Sequence, residues 1–201
     1  MQMARCVTEQ LCIGLFLYVL INRTHKNNTK PQERNIMIAG DMKLKVATEA
    51  DISHLMSWFP TARSVDIWGG PKFRYPYTAE TFHEDVRWRQ IDSYCIFDQA
   101  EDMLAFGQVY ERHGRINFAR LVVSPDRRGQ GIGKQLIALL MEKGRESFPL
   151  QAYSLYVYKD NYPAKACYLG MGFEEHQFPD DDEMAETCIY MIRPIEPRGD
   201  L

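Results

Sequence analysis

The chain has 201 residues, of which 45% are hydrophobic and 25% charged, a balance that fits one ordinary soluble domain with a substantial core. Its net charge of −3 supplies no global positive field, so a generic nucleic-acid binder held by phosphate neutralisation is disfavoured. The five cysteines, Cys6, Cys12, Cys95, Cys167 and Cys188, are scattered without a C-x-x-C pair. They suit neither a disulfide framework nor a zinc site, and no metal is expected. Reduced thiols in a cytoplasmic chain are the reading they support.

The first 41 residues stand apart. Leu11 to Ile21, LCIGLFLYVLI, is an apolar run followed by the polar NRTHKNNTKPQERN. The run falls short of the roughly twenty residues a membrane-crossing helix needs, and no small-residue cleavage site follows it, so stable membrane insertion is not expected. An appended helix or strand, a weak anchor, and translation from a start upstream of the domain are the alternatives. The last is favoured because MKLKVATEADI, from Met42, reads as a domain's own first strand and helix cap. The expected division is therefore 1–41 as an extension, 42–196 as the domain and 197–201 as a tail.

From Met42 the chain alternates strand-like and helix-like stretches, the pattern of an α/β or α+β domain. Lys43 to Ala47 alternates in polarity as a half-buried strand. Thr48 and Asp51 form a capping-box-like start for a helix over about Asp51 to Trp58. Ser64 to Thr78, with paired glycines and two prolines, reads as an aromatic-rich loop. A helix is expected over about Ala79 to Gln90, then strands over Tyr94–Asp98, Leu104–Glu111 and Arg115–Val123, with His113 and Gly114 linking the last two. A long helix with Ile132, Leu136, Leu139 and Leu140 on one stripe ends near Gly144. Ala152 to Lys159 is a strand, Ala164 to Leu169 a short helix, and FEEHQF and TCIYMIRP two final strands joined by the acidic PDDDEMAE.

The segment between Val123 and the long helix carries the most chemistry. Its SPDRRGQGIGK is not a P-loop, because Arg128 stands where that motif requires glycine and Gln135 where it requires Ser or Thr. Nor is it a dinucleotide turn, because Gly129, Gly131 and Gly133 are spaced two and two. It does match R-x-x-G-x-G, from Arg128 through Gly131 to Gly133. A turn opening a helix exposes unpaired N–H groups at the positive end of the helix dipole, and glycines let a diphosphate approach them closely. Gln130, Gly131, Ile132, Gly133 and Lys134 would supply those donors.

On these residues the sequence resembles the GNAT superfamily of N-acetyltransferases, whose acyl-CoA signature is R/Q-x-x-G-x-G/A between its fourth strand and third helix. DNYPAKACYLGMGFEE resembles the same family's later segment: Asn161 opens a helix, Tyr168 follows seven residues on, and Gly172-Phe173 starts the next strand. The resemblance covers the chain from Met42 onward. It implies a mixed, mostly antiparallel sheet of about six to seven strands, splayed between the fourth and fifth and flanked by about four helices. It implies acetyl-CoA as acyl donor and an amine acceptor. A non-catalytic acyl-CoA sensor is the alternative, and a homodimer is compatible with the sequence.

Roles follow by position. The main chain of Leu121, Val122 and Val123 would pair with the pantetheine arm, while Arg128, Gly129 and the donors named above would hold the diphosphate. Asn161 would cap its helix and touch the cofactor. Tyr168 is the candidate catalytic residue: attack of an amine on a thioester expels a thiolate, whose protonation a nearby phenol assists. The positions where family members often carry a glutamate base hold Asn117 and Tyr156 here, so a directly placed base is in doubt. Glu111 and His113, one strand earlier, are the substitutes, with solvent deprotonation as the alternative. Trp68, Phe73 and Tyr75 are candidate acceptor-binding aromatics, and Asp180, Asp181, Asp182 and Glu183 a candidate attraction for a cationic amine.

Overall fold

The computed structural model describes residues 42–179 and 183–196. The apolar run Leu11 to Ile21, the tail 197–201 and the acidic Asp180, Asp181 and Asp182 lie outside the described residues. So does the side chain of Glu183.

In chain order the elements are β1 (Lys43–Val46), α1 (Glu49–Leu55, prolonged by a 3-10 turn over Met56–Trp58), α2 (Ala62–Gly69), α3 (Ala79–Val86), β2 (Asp92–Phe97), β3 (Met103–Arg112), β4 (Arg115–Val123), α4 (Ile132–Ser147), β5 (Ala152–Tyr158), α5 (Tyr162–Leu169), β6 (Glu174–His176) and β7 (Cys188–Pro194). The strands form one seven-stranded sheet in the order β1-β2-β3-β4-β5-β7-β6. Every neighbouring pair is antiparallel except β4 with β5. This is the mixed, mostly antiparallel sheet that the resemblance implied.

Side chains alternate across the sheet, so each strand serves two cores. Ile96, Ala105, Val109, Ile116 and Phe118 pack with α4 and with Tyr168 of α5. Cys95, Phe97, Met103 and Phe106 pack on the other side with Ile52, Leu55, Val65, Trp68, Phe82 and Val86 of α1 to α3. The apolar stripe of α4 is the one read from its periodicity, with Ile132, Leu136, Leu139 and Leu140 all buried.

Two boundaries and one element differ from expectation. The helix expected to end near Gln90 stops at Val86, because Arg87 adopts a left-handed conformation (φ +54°) that terminates it. The long helix runs on to Ser147. The stretch expected to be a loop from Ser64 begins as α2, making five helices among the described residues rather than four. Thr61 caps it: its hydroxyl accepts from Ser64 N, and Ser64 Oγ accepts from Thr61 N, each at 3.1 Å. The glycine pair marks the helix end, not a loop interior, and Gly70 (φ +87°) is its cap.

The parallel pairing of β4 and β5 lasts three residues, Ile116, Asn117 and Phe118 opposite Tyr153, Ser154 and Leu155. Beyond Phe118 the strands part. The remainder of β4 leads into the glycine turn and the remainder of β5 into α5, so the splay brings both sequence motifs to one place.

Candidate functional site

The splay has a margin on each side. On the β4 margin, Leu121 and Val123 pack toward α4 and Val122 toward α1 to α3. Their side chains belong to the cores, which leaves the main chain as the exposed chemistry of this stretch. Leu121 gets close to α4 because Gly107 lies across from it on β3, where a Cβ would stand 2.8 Å from Leu121 Cδ2 and 2.7 Å from Leu140 Cδ1.

At the end of β4, Ser124 leads into a 3-10 turn over Pro125–Arg127, and Gly129 (φ +77°) and Gly131 (φ +80°) bend the chain into α4. Both glycines are exposed, and nothing lies within 4 Å of where a Cβ would be built on either. The N–H groups of Gly129, Gln130, Gly131, Ile132 and Gly133 find no acceptor among the described residues. That of Lys134 is already given to the Gly131 carbonyl at 3.1 Å, so Lys134 is removed from the expected set of backbone donors. Free donors, open space and the positive end of a helix of four turns fit an anionic ligand such as a diphosphate. Arg128 turns back on the chain, its Nε 3.5 Å from the Val123 carbonyl.

The β5 margin leads into α5. Asn161 is its N-cap, accepting from Ala164 N at 3.4 Å. The helix runs toward the glycine turn, since a Cβ on Gly170, just past its end, would stand 3.8 Å from Lys134 Nζ. Tyr168 lies in its last turn, 9% exposed, edge-on to Phe173 with ring centres 6.2 Å apart. Its hydroxyl has no hydrogen-bond partner among the described residues. Burial pushes this phenol well above the ordinary tyrosine value, and Cys167 beside it adds to the rise.

On the opposite face α2 spans the splay. Trp68 Nε1 donates to the Arg120 carbonyl of β4 at 2.7 Å. Asp66 Oδ1 accepts from the Tyr158 hydroxyl of β5 at 2.8 Å. Arg63 donates to Asp66 Oδ2 at 2.8 Å and also pairs with Asp160, next to Asn161. One short helix is thus tied to both margins, a role the glycine-rich appearance of its sequence concealed.

Trp68 and Phe73, expected to stack on an acceptor, are core rings. Trp68 stacks on Phe59 at 4.2 Å and lies nearly parallel to Phe82 at 5.7 Å, and Phe73 packs edge-on to Phe82 at 5.2 Å. Both rings are buried, 8% and 9% exposed, among other aromatics. Tyr75 is 46% exposed, with its hydroxyl on the Pro60 carbonyl at 3.1 Å. Glu111 and His113 are placed at the β3–β4 hairpin, where Glu111 accepts from Gly114 N at 2.9 Å and His113 (φ +52°) forms the turn. The glycine turn is at the other end of β4, about 27 Å of extended strand away. At the two positions where this sequence departs from the carboxylate the resemblance implies, Asn117 is buried against Ser154 Oγ at 3.2 Å, and Tyr156 stacks with Arg112 and Tyr190.

A sheet opened between a parallel strand pair, with a glycine turn at one margin and a buried phenol at the other, defines an acyltransferase fold. The acetyltransferase (GNAT) family profile matches residues 62–173, more than half the chain, and the chain belongs to that family. Solved structures with the same fold include spermidine N-acetyltransferase from Vibrio cholerae in complex with CoA and spermine, 15% identical with a TM-score of 0.60 over 77% of this chain and 95% of that one. The ribosomal-protein-S18-alanine N-acetyltransferase of Escherichia coli is 18% identical, with a TM-score of 0.55 over 79% and 97%. An aminoglycoside acetyltransferase in complex with coenzyme A is 18% identical, with a TM-score of 0.59 over 77% and 95%. Among the described residues, no helix is long and apolar enough to cross a membrane.

Proposed function

We propose that this chain transfers the acetyl group of acetyl-CoA to a primary amine of a small molecule or peptide, and that residues 42–196 are the domain that does so. The observation that carries the reading is the convergence of two separate motifs on one splay, five unclaimed N–H groups on its β4 side and the buried Tyr168 on its β5 side. In this reading Gly129 to Gly133 bind the donor's diphosphate, with Arg128 close by. The main chain of Leu121 to Val123 receives the pantetheine arm, and Asn161 adjoins it while capping α5. Tyr168 offers its proton to the departing sulfur.

The acceptor approaches from the α2 side, past Tyr75 and the mouth formed by Arg63, Asp66 and Asp160. The carboxylates at that mouth are held by Arg63 and the Tyr158 hydroxyl, and Glu111 and His113 are remote. The amine is therefore drawn from solution as its free base, without a dedicated side chain to deprotonate it. Neighbours of this fold act on a polyamine, a protein alanine and an aminoglycoside, and those three acceptor classes are the first to try.

The test is an acceptor screen with the full chain and acetyl-CoA, reading free thiol and confirming the acetylated amine by mass. Thiol release that depends on one amine class supports the reading. Tight binding of coenzyme A with no thiol release for any amine would make the chain a sensor instead.

A further inference from the structure

Arg120 occupies a place that arginine does not favour. Between Phe106↔Val122 and Gln108↔Ala119 the ladder of β3 and β4 slips by one residue, and Arg120 (φ +50°) is the bulged residue, in the left-handed region. Three contacts hold it there. Its carbonyl accepts the Trp68 indole N–H at 2.7 Å. Its guanidinium donates to Gln108 Oε1 at 2.8 Å and to the Asp85 carbonyl, in the last turn of α3, at 3.0 Å. Gln108 is fully buried and gives its amide hydrogens to the Val86 carbonyl and Ser93 Oγ, each at 2.9 Å, which aims its oxygen at Arg120.

Among the described residues Arg120 has no carboxylate of its own, since that of Asp85 is taken by Arg74, and its Nε is buried without an acceptor. A half-buried cation in this setting is a costly way to fill space, and an apolar side chain would serve packing better. What the arrangement does achieve is geometric. A planar trans peptide points the next N–H opposite to its carbonyl, so locking the Arg120 carbonyl on Trp68 fixes the direction of the Leu121 N–H as well. The residue lies two positions beyond the last parallel pair, where β4 is leaving β5.

We infer that Arg120 is a positioning residue for acyl transfer: its side chain and carbonyl lock the left-handed bulge that sets the main chain of Leu121 to Val123 at the splay. This rests on the reading of the splay as the acyl-donor site. It also links donor and acceptor sides, because the indole that fixes the bulge belongs to the helix spanning the mouth.

Two variants of the full chain test it. Trp68→Phe keeps an aromatic ring and removes the N–H, whereas Arg120→Met keeps the apolar stem and removes the donors. Misplacing a reactant by a fraction of an ångström lowers rates steeply, so turnover is expected to fall about tenfold in Trp68→Phe and more in Arg120→Met, with partial recovery in Arg120→Lys. The Kd for coenzyme A, measured by calorimetry, should rise about fivefold in Trp68→Phe. A merely structural role would lower the melting temperature and leave Kd and kcat at parental values, and that result overturns the assignment. If Arg120→Met does not fold, Trp68→Phe decides alone by the same criterion. If the parent chain itself neither binds coenzyme A nor releases thiol, the donor-site reading fails and the assignment with it, a failure seen in the parent and not in the variants.

Discussion

The hydroxyl of Tyr168 is kept protonated by its surroundings, not by a partner. Because burial raises the phenol well above its usual range, full proton transfer to a departing thiolate stays uphill even when the charge on sulfur is fully developed. In the role proposed for it, the residue would act as a hydrogen-bond donor to the late transition state. Tyr168→Phe should lower kcat about a hundredfold, within the range for losing such a donor, with little change in KM for acetyl-CoA. Its melting temperature should match the parent's, since the hydroxyl bonds to no described residue. As the phenol stays neutral across the assay range, kcat/KM should rise with pH as the amine loses its proton, with no descending limb from Tyr168 below about pH 10. Steady-state kinetics from pH 6 to 9 check both points. The glycines separate in the same way. Gly131 needs φ +80°, so a valine there strains the turn as well as the ligand site. Gly133 is helical, and an added Cβ would make only an ordinary 3.7 Å contact with Val123 Cγ2. Gly133→Ala should therefore fold at least as well, gaining up to about 1 kcal/mol of helix propensity. If the diphosphate uses that space, it should bind coenzyme A roughly tenfold more weakly by calorimetry.

At the scale of elements, α2 shows why a fold can be largely legible while its site is only half so. The strands and the helices α1, α3, α4 and α5 are readable because periodicity and caps agree, as in the stripe of α4 and the Thr48 cap of α1. In α2 the same signals exist, in Thr61 with Ser64 and in Val65 with Trp68, but Gly69, Gly70 and Pro71 outweigh them. Gly69 is there because the Phe73 ring folds back over it: a Cβ would stand 2.4 Å from Phe73 Cδ2. No local sequence rule reveals that return. The bulge at Arg120 was equally invisible, because it arises from the register between β3 and β4 and not from a turn residue. The two motifs proposed for the donor side are legible because each is local, a turn into a helix and a cap followed by two helical turns. Gly69→Ala should push Phe73 out of the Trp68–Phe82 stack and cost about 1–3 kcal/mol by overpacking, which for a domain of this size lowers the melting temperature by roughly 5 °C. A thermal melt that matches the parent would mean the ring relocates without loss.

Across the whole molecule, the two cores share the same strands, so neither face can melt without the other. Phe106 on one side and Ala105 on the other are neighbours in β3. That continuity is interrupted at the splay, where β4 and β5 leave each other after three pairs and are held together on one face by the bonds of α2. A ligand lying between the margins would replace the missing ladder with its own contacts and bind the folded chain alone. Such a ligand stabilises by mass action, about 2.7 kcal/mol at a hundred times its Kd. In a domain of this size that raises the melting temperature by roughly 5–10 °C. Coenzyme A should produce this shift in the full chain. Adenosine 3′,5′-bisphosphate, which lacks both the pantetheine arm and the diphosphate, should give only a small part of it at the same concentration. Equal shifts from the two would confine binding to the nucleotide and remove the main chain of Leu121 to Val123 from the donor site. A larger shift from coenzyme A, reduced in Trp68→Phe by the amount its weaker Kd requires, would tie the stability of the fold to the strand gap that α2 spans.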